Sequence, residues 1–191
     1  MTELEERLKI AEEEMKKPSF LNNKGLGNET GYYIFDYPAE QELFVRERIN
    51  FIAQKYNQSE SERKIVIFDL YDIIIKLLED KGYLEKNFDF EKSKGLNRVA
   101  KAIGNTLRLA SSDNLVIKYI NDNAPENSII FITGVGKSYP IVRAHSILNN
   151  LHPVSDDIPI VMFYPGKFTG QELILFNEIK DDNYYRAFRL A

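Results

Sequence analysis

The chain has 191 residues, 43% of them hydrophobic, with a formal charge of -4 and no cysteine. That is enough chain for one domain, 1–191, with a real core, and it excludes a disordered chain, disulfides, thiolate metal sites and cysteine nucleophiles. A small acidic excess supplies no electrostatic ground for direct DNA or RNA binding, where a basic stripe is the usual footprint.

From the N-terminus, Leu4, Leu8, Ala11 and Met15 recur at helical spacing, and Thr2 with Glu5 forms a capping-box pattern. Pro18 marks a stop, and the turn formers from Phe20 to Glu29 predict an irregular loop. Residues 1–30 thus read as a helix and a loop outside the main repeat of elements. The acidic start lacks the apolar core of a signal peptide, and no apolar run reaches the length of a membrane span. With no cysteine to oxidise, the chain suits a reducing compartment. The expectation is a soluble cytoplasmic protein.

Tyr32-Tyr33-Ile34-Phe35 predicts a strand ended by Asp36-Tyr37-Pro38, and a helix over residues 39–56 follows with Val45, Ile49, Ile52 and Tyr56 on one stripe. Ile65-Val66-Ile67-Phe68 has the unbroken apolar pattern of a strand covered on both faces, and Asp69 ends it. A helix carrying Ile73, Ile74, Leu77 and Leu78 stops at Gly82. Residues 84–126 read as a helical insertion. Residues 88–93 form a charged connection, one helix carries Leu96 to Leu107, and Ser112 caps a second that ends before Pro125.

Ile129-Ile130-Phe131-Ile132-Thr133 is the strongest buried-strand signal, and it runs into Gly134-Val135-Gly136-Lys137-Ser138-Tyr139-Pro140. A helix with Ile141, His145, Leu148 and His152 near one face is expected next. Ile160-Val161-Met162-Phe163 predicts another buried strand, ended by Tyr164-Pro165-Gly166. Residues 172–176 suggest a fifth, and residues 183–190 a terminal helix. Strands alternating with helices imply crossovers. The predicted fold is a three-layer α/β/α domain with a mainly parallel sheet of about five strands, plus extra N-terminal and central helices.

In such a sheet, ligands usually sit beyond the C-terminal ends of the strands. The candidate crevice there is Asp36, Asp69, Gly134, Gly136, Lys137, Ser138, Tyr139, Arg143 and Tyr164. Gly134 to Ser138 has the context of a phosphate-binding loop, but the glycine required five positions before the second one is Phe131. A tight turn with a solvated lysine is the plainer reading. Asp36 and Asp69, if on adjacent strands, could hold a divalent cation, although a cap or turn role is commoner and no third ligand is fixed by spacing. His145 and His152 are about 10 Å apart along a helix and cannot readily share one ion. Arg143 could meet an anion or pair with Asp36. At the C-terminus, Tyr184, Arg186 and Arg189 form a candidate partner-binding face, while Tyr185, Phe188 and Leu190 dock the segment. No metal, cofactor or catalytic residue is implied.

Several phrases resemble the BrxB family of BREX bacteriophage-exclusion systems. They are Phe131-Ile132-Thr133-Gly134-Val135-Gly136 with Tyr139-Pro140, His145 and Leu148-Asn149-Asn150-Leu151; Phe163-Tyr164-Pro165-Gly166 with Gly170-Gln171; and residues 180–190. Asn28-Glu29 and Tyr33-Ile34-Phe35-Asp36-Tyr37-Pro38 are similar too. The resemblance spans nearly the whole chain and is weakest between about Leu84 and Glu126. It implies a part in defence against phage, in systems that methylate host DNA and block replication of invading DNA. The family is encoded beside a large ATPase, an adenine methyltransferase and PglZ, an alkaline-phosphatase-like protein. It carries no established catalytic residues. The implied role is a non-enzymatic accessory subunit associating with PglZ and other BREX proteins. The alternative is a nucleotide- or phosphate-binding subunit using residues 134–138.

Overall fold

A computed structural model of the protein describes residues 2–22, 31–151, 158–181 and 187–191. Its strands are β1 (Tyr32–Tyr37), β2 (Lys64–Asp69), β3 (Ser128–Thr133), β4 (Ile160–Phe168), β5 (Leu173–Leu175), β6 (Ile179–Asp181) and β7 (Phe188–Arg189). Its helices are α1 (Glu3–Glu14), α2 (Pro18–Leu21), α3 (Glu42–Asn57), α4 (Leu70–Asp80), α5 (Leu84–Lys94), α6 (Leu96–Thr106), α7 (Leu115–Asn123), α8 (Val135–Ser138) and α9 (Ala144–Leu148). No helix among the described residues is long and apolar enough to cross a membrane.

The sheet runs β2-β3-β4-β1-β7 with every neighbouring pair parallel. The three-layer α/β expectation is therefore met. Period-two alternation explains why its central strands are apolar throughout. Ile130 and Ile132 of β3 join the core under α4, α6, α7 and α9, whereas Ile129 and Phe131 join the opposite core under α1 and α3. In that second core the Phe131 and Phe163 rings meet edge to face at 5.0 Å, a favoured aromatic geometry.

The N-terminal helix is part of a layer, because Leu4, Leu8 and Ala11 are buried against β1 and α3 residues. Its capping box forms as expected. Pro18, however, starts a short helix instead of ending one, since a first-turn proline sacrifices no hydrogen bond. Phe20 lies in that helix and is buried, while residues 23–29 of the expected loop lie outside the described residues.

Four further expectations change. Residues 88–93 are helical, inside α5, although α5 buries no residue. Asn114, not Ser112, caps α7, its side-chain oxygen accepting from the Val116 and Ile117 N–H groups. The expected turn 134–140 contains a short helix, α8, and the helix expected after it is reduced to α9, with a cis Tyr139–Pro140 peptide between the two. Residue 152 lies outside the described residues. Finally, residues 188–189 form a strand paired with β1, not a helix; Phe188 meets Tyr33 in the ladder.

Two strands also outrun their predicted ends. β1 includes Asp36 and Tyr37, in register with Tyr164 and Pro165. β4 continues through Pro165 and Gly166 to Phe168, where it switches partners and pairs antiparallel with β5. β5 then pairs with β6. This small antiparallel extension is what residues 172–176 become. β2, expected to be covered on both faces, is an edge strand with Val66 and Ile67 only half-buried.

Tyr37 illustrates how far burial reaches at the strand ends. Its ring is 4% exposed, and its hydroxyl donates to Glu42 Oε2 at 2.5 Å. Burial raises the phenol's pKa above its ordinary value, and the hydrogen bond to Glu42 raises it further. The folded phenol thus stays protonated where an unfolded one ionises. Its contribution is full below about pH 10 and declines as pH rises beyond that. Urea denaturation between pH 8 and 11 should show an alkaline loss of stability, shallower in Tyr37→Phe.

Candidate functional site

The C-terminal ends of β2 and β3 bring one polar cluster together. Asp69 ends β2 and caps α4, its Oδ1 accepting from the N–H groups of Tyr71 and Asp72 at 3.0 and 3.2 Å. Its Oδ2 takes the Lys137 ammonium at 2.8 Å and the Thr133 hydroxyl at 3.3 Å. Lys137 also reaches Asp72 at 3.5 Å and lies over the Tyr71 ring at 5.5 Å. The lysine expected to be solvated is therefore held by two carboxylates and an aromatic face.

The two glycines of the turn have packing reasons. At Gly134, φ is +74°, and a Cβ would stand 2.4 Å from Asp69 Oδ1. At Gly136, a Cβ would stand 3.0 Å from the Phe176 ring and 3.1 Å from Pro165. Ser138 is buried, and both its N–H and its hydroxyl donate to the Gly134 carbonyl, at 3.0 and 2.7 Å. A carboxylate thus sits against the turn where a bound phosphate would rest, and Pro165 with Phe176 fills the other side. Lys137→Ala should lower unfolding stability by about 1 kcal/mol, the scale of a partly exposed ion pair. Calorimetry with ATP or GTP should show no heat for either protein.

Asp36 belongs to a different cluster. β3 and β4 lie between β1 and β2, which sets Asp36 and Asp69 roughly 14 Å apart at ordinary strand spacing. One cation cannot bridge them, and among the described residues no group of three or more His, Cys, Asp or Glu could hold a metal ion. Asp36 is buried, at 5% exposure. Its Oδ1 meets Arg7 Nη2 and Arg189 Nη1, each at 2.7 Å, and its Oδ2 accepts from the Phe168 N–H at 2.8 Å. Arg7 also donates to the Ala191 carbonyl at 3.1 Å, and Arg189 to that of Phe168. One carboxylate ties α1, β1, the end of β4 and the C-terminal strand together.

Arg189, expected on a partner-binding face, is therefore engaged in this clamp. Tyr184 and Arg186 lie outside the described residues. Arg143, offered as a partner for Asp36, stands exposed at the start of α9. Tyr139 packs edge to face on Phe176 at 6.5 Å, and Tyr164 is buried in the core. The expected rim is thus divided: Asp69, Gly134 and Lys137 converge, Asp36 is spent on two arginines, and β4 with β5 fills the space between.

Beside the Asp69 cluster is a cavity of about 420 Å³, lined by Asp69 and Lys137 of the expected crevice and otherwise by residues that sequence reasoning did not single out. Arg46 and Asn50 of α3 line one wall, Ile73 and Lys76 of α4 with Tyr119 of α7 the other, and Ile67 to Asp69 the floor. No local signal marks Arg46, Asn50, Lys76 or Tyr119, because they are drawn from three separate helices.

Comparison with known proteins places the chain. A family model for "BREX protein BrxB" matches residues 66–190. A Bacillus cereus (strain H3081.97) protein named "BREX protein BrxB" is 50% identical over 190 residues, 100% of this chain and 98% of its own length. An Escherichia coli O9:H4 (strain HS) protein of the same name is 34% identical over 188 residues, 98% of this chain and 92% of its own. No solved structure matches. Matched across its length by these relatives, the chain belongs to the BrxB family of BREX proteins.

Proposed function

We propose that the chain is a non-enzymatic adaptor subunit of a BREX complex in defence against phage, acting through protein–protein contacts, with PglZ as its principal partner. The observation that supports this reading is the close packing around the glycine turn after β3. Where an α/β protein of this build usually receives a ligand, Asp69, Pro165 and Phe176 close on the turn at Gly134 and Gly136. Family membership supports the setting, since the relatives are BREX proteins by name. Large apolar side chains left in solvent, among them Leu43 at 75% and Leu96 at 52% exposure, support contact with other proteins.

The reading is tested by co-expressing the tagged chain with PglZ and the remaining BREX proteins and purifying at moderate ionic strength. Stoichiometric recovery of PglZ is the expected result. Recovery of the chain alone, or of BREX proteins without PglZ, would refute the adaptor role or its assigned partner respectively.

A further inference from the structure

The open edge of β2 carries an inference that deepens the adaptor reading and rests on it for the partner being a protein. In a strand, the N–H and C=O of one residue point to the same side, and those of the next residue to the other. The Lys64 N–H donates toward β3, to Asn127 O at 3.1 Å. Ile65 consequently faces outward, and its main chain is satisfied by a side chain: Asn57 Nδ2 donates to Ile65 O at 2.9 Å, and Asn57 Oδ1 accepts from the Ile65 N–H at 2.7 Å. The Asn57 amide imitates a neighbouring strand and closes that half of the edge.

The same alternation turns the N–H and C=O of Ile67, and the N–H of Asp69, to the outer side. β2 has no strand beyond it among the described residues, and none of their side chains does for Ile67 what Asn57 does for Ile65. Ile67, Phe68 and Asp69 line the 420 Å³ cavity, whose walls come from both helical layers and which reaches the β3 tip at Thr133 and Lys137, so it lies along the C-terminal half of this edge. Helices bound its width, and the Lys137–Asp69–Asp72 cluster bounds one end. An extended chain of a few residues fits such a slot, and a bulky domain does not.

Charge selects among extended chains. The single Lys137 ammonium sits between Asp69 and Asp72, and with Arg46 and Lys76 the charged lining residues carry a net charge of +1. Arg46 and Lys76, with side chains 41% and 54% exposed, stand on opposite walls, and their own ion-pair partners Glu42 and Asp80 do not line the cavity. We propose that the Ile67–Asp69 edge is a strand-acceptor site that takes a short, extended, acidic segment of a partner protein by main-chain pairing, between Arg46 and Lys76.

The test uses the purified full-length chain and a phage-displayed library of random 12-residue peptides, followed by fluorescence anisotropy with the enriched peptides. Peptides rich in Asp and Glu should be enriched, and binding should slow hydrogen exchange at Ile67 and Asp69. Ile67→Pro removes only an outward N–H, a change that an edge strand tolerates, and should weaken binding at least tenfold. Arg46→Glu/Lys76→Glu, which leaves β2 untouched, should do the same and stands as the test if the proline variant does not fold. No enrichment, peptides without acidic bias, or equal binding to wild type and the charge-reversed protein would overturn the proposal. So would sedimentation showing a dimer abolished by Ile67→Pro, which would make the occupant a second copy. The selection contains no other BREX protein, so its failure leaves the adaptor reading standing, and a failed co-purification leaves the peptide preference of the edge measurable.

Discussion

Asp36→Ala is expected to destabilise the protein by about 3 kcal/mol, read as a lower urea midpoint with an unchanged slope. The carboxylate is buried and serves three donors at once: two guanidinium groups and the Phe168 N–H. Removing one partner of a buried ion pair costs more than the pair contributes, because the remaining charge loses its compensation. Arg189 is 43% exposed and Arg7 23%, so water can recover part of that loss, which places the effect at the lower end of the range. Asp36→Asn keeps an acceptor for Phe168 while stranding both arginines and should fall between wild type and alanine. Because the clamp joins Arg7 to the C-terminal residues Arg189 and Ala191, hydrogen exchange in Asp36→Ala should rise first in α1 and β7. Unchanged exchange there would contradict the clamp.

Gly166→Ala should be about as severe, roughly 3 kcal/mol, combining backbone strain with overpacking. Gly166 has φ of +155° and pairs with Leu175 where β4 changes partner. A Cβ there would lie 2.1 Å from the Ile174 carbonyl oxygen and 2.9 Å from the Phe176 nitrogen. Both are main-chain atoms, of β5 and of the residue just after it, so no side-chain rotation relieves the overlap and the β4–β5 ladder must separate. Phe176 would then leave Gly136 and open the filled crevice. Limited proteolysis should therefore cut within residues 166–178 while β1, β2 and β3 stay protected. A protein as resistant as wild type would show that the hairpin is not held by this contact.

Local chemistry made most of the layers legible. Leu4, Leu8, Ala11 and Met15 announce α1, and Val45, Ile49, Ile52 and Tyr56 announce α3, because an amphipathic stripe encodes both a helix and the face it buries. The unbroken run Ile129-Ile130-Phe131-Ile132 announces a central strand because both faces of β3 are covered. The resemblance carried by residues 131–136, 163–166 and 180–190 announced the family. The same local rules failed where they were weak. α5 has no fully buried residue and only Leu84 and Phe90 packed partly on the core, too few to write a clear stripe. β7 is a two-residue strand whose conformation is imposed by its neighbour β1. At Tyr164-Pro165-Gly166, turn formers continue a strand because Gly166 admits close approach by β5.

The site divides along the same line. Asp69 as a cap and Gly134 as a turn follow from their own neighbours in sequence, so the sequence alone determined that a helix starts at each strand tip and that the phosphate-loop spacing is wrong. Only the tertiary structure decided where the charges went. Asp36 meets Arg7 from 29 residues away and Arg189 from 153, and the order β2-β3-β4-β1 set Asp36 and Asp69 apart. Strand order and long-range ion pairing depend on how layers close around one another, and hydrophobic period, which records only a residue's own face, carries no information about either.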